Sequence, residues 1–317
     1  MTFSPLMMKQ VAALLDDLPS NPQVIELGNQ TFDPSLSGSL TRSEDLMLPL
    51  IIDFLDRRGK PYDKARLLEL GAMSPQAQKP HTASYFKALG FASYDAIDVN
   101  SLYGSLIMDL NVDLHEVYEY RRTFDLVTNS GTGEHIFNQA AVFKNMHQLT
   151  NVGGIMVWIL PFYNWMNHGF FNFNPLLFAD LAAANEYQVL RMGVGCGVGQ
   201  QVTAIGARID DSQMRLSWQP DNPGLTLAHF QDRGSISPRT ARNVASHLLR
   251  ISTGRPLGTQ ASNLPAIVER LAERVPNIFV VAALKKTTDQ PFVFPLQGMY
   301  SGQNVETPEL RQQYSIR

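Results

Sequence analysis

Carboxylates that close short apolar runs, twice with a glycine just behind them, are the residues of this chain best placed to do chemistry. Glu-Leu-Gly occurs at Glu26–Gly28 and again at Glu69–Gly71. A nucleotide-binding unit needs a tight turn after its first strand. It also needs an acid at the end of its second strand, to accept hydrogen bonds from ribose hydroxyls. Counted from Gly71, Asp98 arrives after one helix and one strand. Counted from Gly28, a further helix and strand intervene. Spacing therefore selects the second copy, Glu69–Gly71, as the nucleotide turn, with Asp98 as its acid, although Ala72 and not a further glycine follows it. Asp109 closes the next apolar run as a candidate adenine neighbour.

The elements that must position these residues read as five apolar runs: Ala65–Gly71, Ala92–Asn100, Ser105–Asn111, Phe124–Asn129 and Gly154–Pro161. Near-continuous apolar strands alternating with helices predict a parallel sheet covered on both faces, with ligands beyond the carboxyl ends of its strands. Helical patterns are expected from Pro5 to Leu18, from Thr41 to Gly59, over His81–Leu89 and over Glu134–Leu149. The last of these turns Ile136, Ala140, Phe143 and Met146 or His147 inward. Further helices are expected at Pro175–Ala184, Pro238–Ile251 and Leu264–Arg274, and strands at Val24–Gln30, Tyr187–Met192 and Asn277–Lys286. The predicted architecture is α/β, with a doubly wound sheet. Residues 1–63 form a helical extension or lid, 64–192 a cofactor-binding core, 193–275 an insertion or lid, and 276–317 the final core strand and tail.

Composition narrows the partners. The chain has 317 residues, a formal net charge of -3 and a single cysteine, Cys196. That charge provides no footprint for nucleic acid or an anionic membrane. One cysteine excludes a disulfide framework, and no apolar run approaches the roughly 20 residues of a membrane helix. A soluble cytoplasmic protein acting on a small molecule is expected. The seven histidines are scattered, so no metal-ligand spacing is read. Glu134 and His135 are neighbours on an expected helix and point about 100° apart, which suits a first-turn charge better than a catalytic pair. Gly193–Gly199 reads as a bent strand or turn rather than a phosphate loop. Arg233, Arg239, Arg242, Arg250 and Arg255 read as a solvated helix face.

Taken together, Leu67–Gly71, Ala96–Val99, Met108–Leu110, Phe124–Asn129, Glu134-His135 and Asn151–Gly154 resemble the successive motifs of class I S-adenosylmethionine-dependent methyltransferases. The late strand ending in Leu284-Lys-Lys is similar to that family as well. The resemblance implies a Rossmann-like seven-stranded sheet whose final strand runs antiparallel, with S-adenosylmethionine as cofactor. It implies that Glu69, Gly71, Ala72, Asp98, Val99, Asp109, Leu110, Asn129 and Ser130 line the cofactor. The first loop lacks the family's second glycine.

Beyond the fifth run lies Phe162–Pro175, rich in aromatics and asparagine. Aromatic faces attract cations by about 0.5–2 kcal/mol each. Tyr163, Trp165, Phe170, Phe171 and Phe173 could therefore cage a sulfonium, or could equally be core packing. Tyr163, Asn164, Asn167 and His168 carry polar tips, and His168, Tyr163 or His135 could take a proton from an acceptor. Three functions follow: methyl transfer to a small molecule, closure of the cofactor's own tail to azetidine-2-carboxylate as in azetidine-forming synthases of this fold, and a non-catalytic binding protein.

Overall fold

The computed structural model describes residues 2–3, 5–32, 51–52, 55–57, 59, 61–71, 81–163, 165, 168–198, 201–206, 208–210, 215–217 and 277–297. The expected helices at Thr41–Gly59, Pro238–Ile251 and Leu264–Arg274 lie largely or wholly outside the described residues, as do the five arginines.

Strands β1 (Thr2–Phe3), β2 (Gln23–Leu27), β3 (Thr31–Phe32), β4 (Ser93–Asp98), β5 (Leu106–Ile107), β6 (Phe124–Ser130) and β7 (Thr150–Tyr163) are followed by β8 (Gln188–Val198), β9 (Gln201–Gly206), β10 (Arg208–Asp210), β11 (Arg215–Ser217) and β12 (Asn277–Lys285). Helices α1 (Pro5–Leu14), α2 (Lys64–Gly71), α3 (Ala83–Ala88), α4 (Leu114–Val117), α5 (Gln139–Leu149) and α6 (Pro175–Ala184) are interleaved with them. The main sheet has the order β5-β4-β2-β6-β7-β12-β8-β9. Strands β5, β4, β2, β6 and β7 are mutually parallel. Strand β12 enters antiparallel between β7 and β8, and β9 adds an antiparallel eighth strand at the edge.

Period-two alternation sends each strand's side chains to opposite faces. Ile155, Val157 and Ile159 pack with Val24 and Leu126 under Met7, Val11 and Leu14 of α1 and Tyr85 and Phe86 of α3. Met156, Trp158 and Leu160 pack with Ile25, Leu27 and Val127 under Val142, Phe143 and Met146 of α5 and Phe178 of α6. Both faces of the sheet are therefore covered, as its apolar strands require. Phe143, Met146 and His147 are buried as expected, whereas Ala140, in the first turn of α5, is exposed.

Three expectations are corrected. Ala65–Gly71 is not a strand: it belongs to α2, which buries Leu67 and Leu70 at helical spacing and leaves Leu68 exposed. Asp63 starts it, its Oδ1 accepting the Arg66 N–H at 3.0 Å. The strand that takes its place is β2, whose β-branched Val24 and Ile25 fit a doubly covered sheet. Residues 1–63 are consequently not an extension outside the core, since β2 lies at its centre between β4 and β6. At the other end, β8 runs on to Val198 and turns into β9, so the start of the 193–275 segment is sheet edge rather than lid.

Candidate active site

The carboxyl ends of β4, β2, β6 and β7 lie side by side, with Leu27 paired to Ile97 on one flank and to Asn129 on the other. The first Glu-Leu-Gly supplies the turn here. Gly28 takes φ +79°, and a Cβ on it would fall 2.2 Å from the Thr132 Oγ1. Its N–H donates to the Ile97 carbonyl at 2.8 Å. Asn29 then donates its N–H to Asp98 Oδ2 at 2.9 Å and its amide to the Leu102 carbonyl and to Ser105 Oγ. Gln30 donates to the Ser130 carbonyl at 3.0 Å on the opposite flank. Side-chain amides thus tie the turn to the loop after β4 on one side and to β6 on the other.

Beneath the turn, Glu26 is fully buried. It accepts hydroxyl hydrogen bonds from Thr82 and Tyr94, each at 2.6 Å, and a longer one from Thr128. Burial pushes its carboxyl up to about 7, against the opposing effect of those donors. Beside the turn, His81 contacts Asn29 Oδ1 at 3.1 Å and stacks on Tyr103, and burial lowers its basicity.

The remaining expected cofactor residues divide. Asp98 stands at the tip of β4, half-buried, with its second oxygen accepting from Asn100. Val99 follows it, exposed. Asp109 lies in the loop after β5, where its Oδ1 accepts both the backbone N–H and the side-chain amide of Asn111 at 2.8 Å. Leu110 is buried in the core, so it packs instead of presenting a side chain to a ligand. Asn129 is fully buried near the end of β6; its Oδ1 accepts the Gly133 N–H, and its Nδ2 has no hydrogen-bond partner among the described residues. Ser130 joins the edge through its carbonyl. Glu69 and Gly71 are removed from this set, because α2 carries them and Glu69 is exposed on it. Ala72 lies outside the described residues.

Beyond β6 the chain makes a turn at Gly133–His135 before α5 begins. Glu134 does stand in the first turn of that segment, but it is fully buried, with its carboxyl pushed up to about 7 by desolvation. His168 Nε2 lies 3.3 Å from Glu134 Oε1, and His135 Nε2 lies 3.8 Å from the same oxygen. Burial, helped by the charge of His168, lowers the basicity of His135. The aromatic segment reaches Glu134 from outside. Phe170 and Phe171 both donate their N–H groups to its carbonyl.

That segment splits between packing and rim. Phe173 is core, packed against Phe143 and Phe178. Trp165 donates to the Ile278 carbonyl at 3.0 Å and lies against His168 and Phe279. Phe170 is exposed and meets Phe137 edge-on, while Phe171 bridges Phe137 to the core. Tyr163 is exposed where β7 ends. Asn164 and Asn167 lie outside the described residues.

The strand order decides the fold. With β2 counted first in the sheet, the sequence 3-2-1-4-5-7-6 and an antiparallel seventh strand is the arrangement of class I S-adenosylmethionine-dependent methyltransferases. The chain has the class I methyltransferase fold. No family model matches the sequence, and no curated protein does. Solved structures similar to it include a methyltransferase from Thiobacillus denitrificans in complex with S-adenosyl-L-homocysteine, at 14% identity and TM-score 0.34, covering 90% of this chain and 92% of that one. A methyltransferase from Geobacter sulfurreducens, also with S-adenosyl-L-homocysteine, matches at 12% identity and TM-score 0.33, with coverage of 90% and 92%. The trans-methyltransferase CalH matches at 13% identity and TM-score 0.26 over 50% of this chain, which spans only 36% of CalH. These similarities are distant, and the fold rests on strand order and register. Among the described residues no helix is long and apolar enough to cross a membrane.

Proposed function

We propose that the protein binds S-adenosylmethionine and transfers its methyl group to a small molecule. The observation that carries this reading is the Asp98 carboxylate at the tip of β4, bonded to the Asn29 N–H that follows the Gly28 turn. An acid in that place accepts the ribose hydroxyls of a nucleoside laid across the two strand tips. The antiparallel β12 makes the sheet of methyltransferase type. The similar structures from Thiobacillus denitrificans and Geobacter sulfurreducens hold S-adenosyl-L-homocysteine, the cofactor after its methyl group has gone.

The acceptor end of the site is the Glu134, His135 and His168 group. It follows β6 and β7, whereas Asp98 ends β4 on the other side of β2. Phe137, Phe170 and Phe171 form its apolar rim, and such a mixture suits a small acceptor with a hydroxyl or acidic group on an apolar body. Holding that nucleophile in line behind the methyl carbon can lower the barrier by about 7–11 kcal/mol in favourable cases.

Calorimetry with S-adenosyl-L-homocysteine tests the cofactor. Saturable binding is expected, and none at millimolar concentration overturns the reading. Incubation with S-adenosylmethionine and a panel of hydroxylated and amine acceptors, followed by mass spectrometry, tests the reaction. S-adenosyl-L-homocysteine should form only with an acceptor. Methylthioadenosine released without one would instead mean that the cofactor's tail cyclises.

A further inference from the structure

Glu134 and His135 are neighbours and His168 lies more than thirty residues on, yet the ligand atoms of all three lie within 4.8 Å of one another. Glu134 Oε1 faces both histidines, at 3.3 and 3.8 Å, and the two rings stand 5.1 Å apart. Donors bound to a common metal at about 2.0–2.1 Å lie about 3.3 Å apart when tetrahedral, so only small side-chain rotations separate this arrangement from a coordination shell. The other carboxyl oxygen, Oε2, is buried and has no hydrogen-bond partner among the described residues. No lysine or arginine among them pairs with this carboxylate. A buried carboxylate in such surroundings is costly without a cation.

Its position is fixed from two sides. The Gly133–His135 turn fixes Glu134 from within, the Gly133 N–H being held by Asn129 Oδ1 at 2.9 Å. From outside, Gly169 lies against the Glu134 side chain and backbone, and the N–H groups of Phe170 and Phe171 grip its carbonyl. His135 and His168 keep 35% and 39% of their side chains exposed, so the group is closed behind Glu134 and open in front.

We propose that Glu134, His135 and His168 form a site for a divalent transition-metal ion that receives an oxygen of the methyl acceptor. Two imidazoles and one carboxylate favour zinc, manganese, iron(II) or cobalt over magnesium and calcium, which take oxygen-rich shells. Three protein ligands on one side leave positions open on the other. An acceptor hydroxyl bound there is more acidic and is held for in-line attack, so its proton goes to solvent without a dedicated base. The role in acceptor binding rests on the methyl-transfer reading; the metal site itself does not.

Untagged, full-length protein stripped with chelator and titrated with cobalt(II) provides the test. One cobalt per chain is expected, with visible d–d absorption from nitrogen ligands. Glu134→Gln and His168→Ala should each weaken cobalt binding by about tenfold or more and change the spectrum. His168→Asn, which keeps a polar side chain of similar reach, guards against a folding defect, and melting curves of every variant accompany the titrations. Absence of saturable uptake by the parent protein overturns the site, and so does cobalt binding that the folded variants leave unchanged. Calorimetry with S-adenosyl-L-homocysteine on the stripped protein reads the cofactor reading separately. Cofactor binding without metal binding sinks the metal site alone.

Discussion

Asp98 Oδ2 accepts the backbone N–H of Asn29 at 2.9 Å, so the acid at the tip of one parallel strand holds the turn leaving its neighbour. The carboxylate therefore shapes the loop as well as facing the ligand. Asp98→Ala should weaken S-adenosyl-L-homocysteine binding by about 1.5–3 kcal/mol, the usual range for hydrogen bonds to a charged group. Asp98→Asn can still accept from Asn29, so it keeps the turn and loses only the charged contribution. Calorimetry on both variants checks this, and unchanged affinity in the alanine variant would show that the nucleoside binds elsewhere.

Gly28 is constrained twice, by a left-handed backbone and by the Thr132 side chain. Gly28→Ala should lower stability by about 1–3 kcal/mol. Adding Thr132→Ala removes the two nearest atoms but leaves its Cβ at 3.0 Å and φ at +79°, so the double variant should recover only part of the loss. Thermal melts of the single and double variants provide the measurement. Full recovery would mean the backbone term is negligible.

Glu26 links stability to pH. Its carboxyl rises from 4.5 to about 7 on burial, so across that window the folded chain keeps a proton that the unfolded chain has released. Stability is greatest below the window and falls as pH rises through it, by on the order of 3 kcal/mol at about 1.4 kcal/mol per unit. Glu134 is raised in the same direction, so the parent slope contains both groups. Urea unfolding at pH 5 and pH 8 should therefore show a smaller drop in Glu26→Gln than in the parent. Equal drops would mean Glu26 is charged in the folded state throughout.

The apolar pattern made the sheet legible because its central strands are buried on both faces, and the Trp158 indole nitrogen is the one polar side-chain atom that Ile155 to Leu160 carry. It could not choose correctly between two Glu-Leu-Gly turns. Spacing to Asp98 favoured Gly71, yet the chain between β2 and β4 is a long excursion carrying α2 and α3. The local signals pointed the other way: Val24-Ile25 is β-branched, whereas Asp63 is a helix cap followed by leucines three apart. Asp98, Asn129, His135 and His168 were legible as polar residues at or beyond strand ends. The pairing of Glu134 with His168 was not, because 34 residues separate them and only the return of the chain from β7 brings them together.

That return depends on a small residue. Gly169 has an ordinary backbone conformation, but a Cβ on it would lie 2.8 Å from the Glu134 Cγ and 2.9 Å from the Glu134 carbonyl oxygen. The carbonyl oxygen belongs to a rigid turn, so the aromatic segment must give way instead. Gly169→Ala should lift Phe170, whose N–H now meets that oxygen at 2.8 Å, and cost about 1–3 kcal/mol. Hydrogen exchange should accelerate at the Phe170 and Phe171 amides while β2 and β6 stay protected. S-adenosyl-L-homocysteine affinity should hold, since the proposed nucleoside end is at Asp98 on β4 and not at this segment. Unchanged exchange would show that the segment accommodates a methyl group freely, and a parallel loss of cofactor affinity would show that the two ends of the site are not separable.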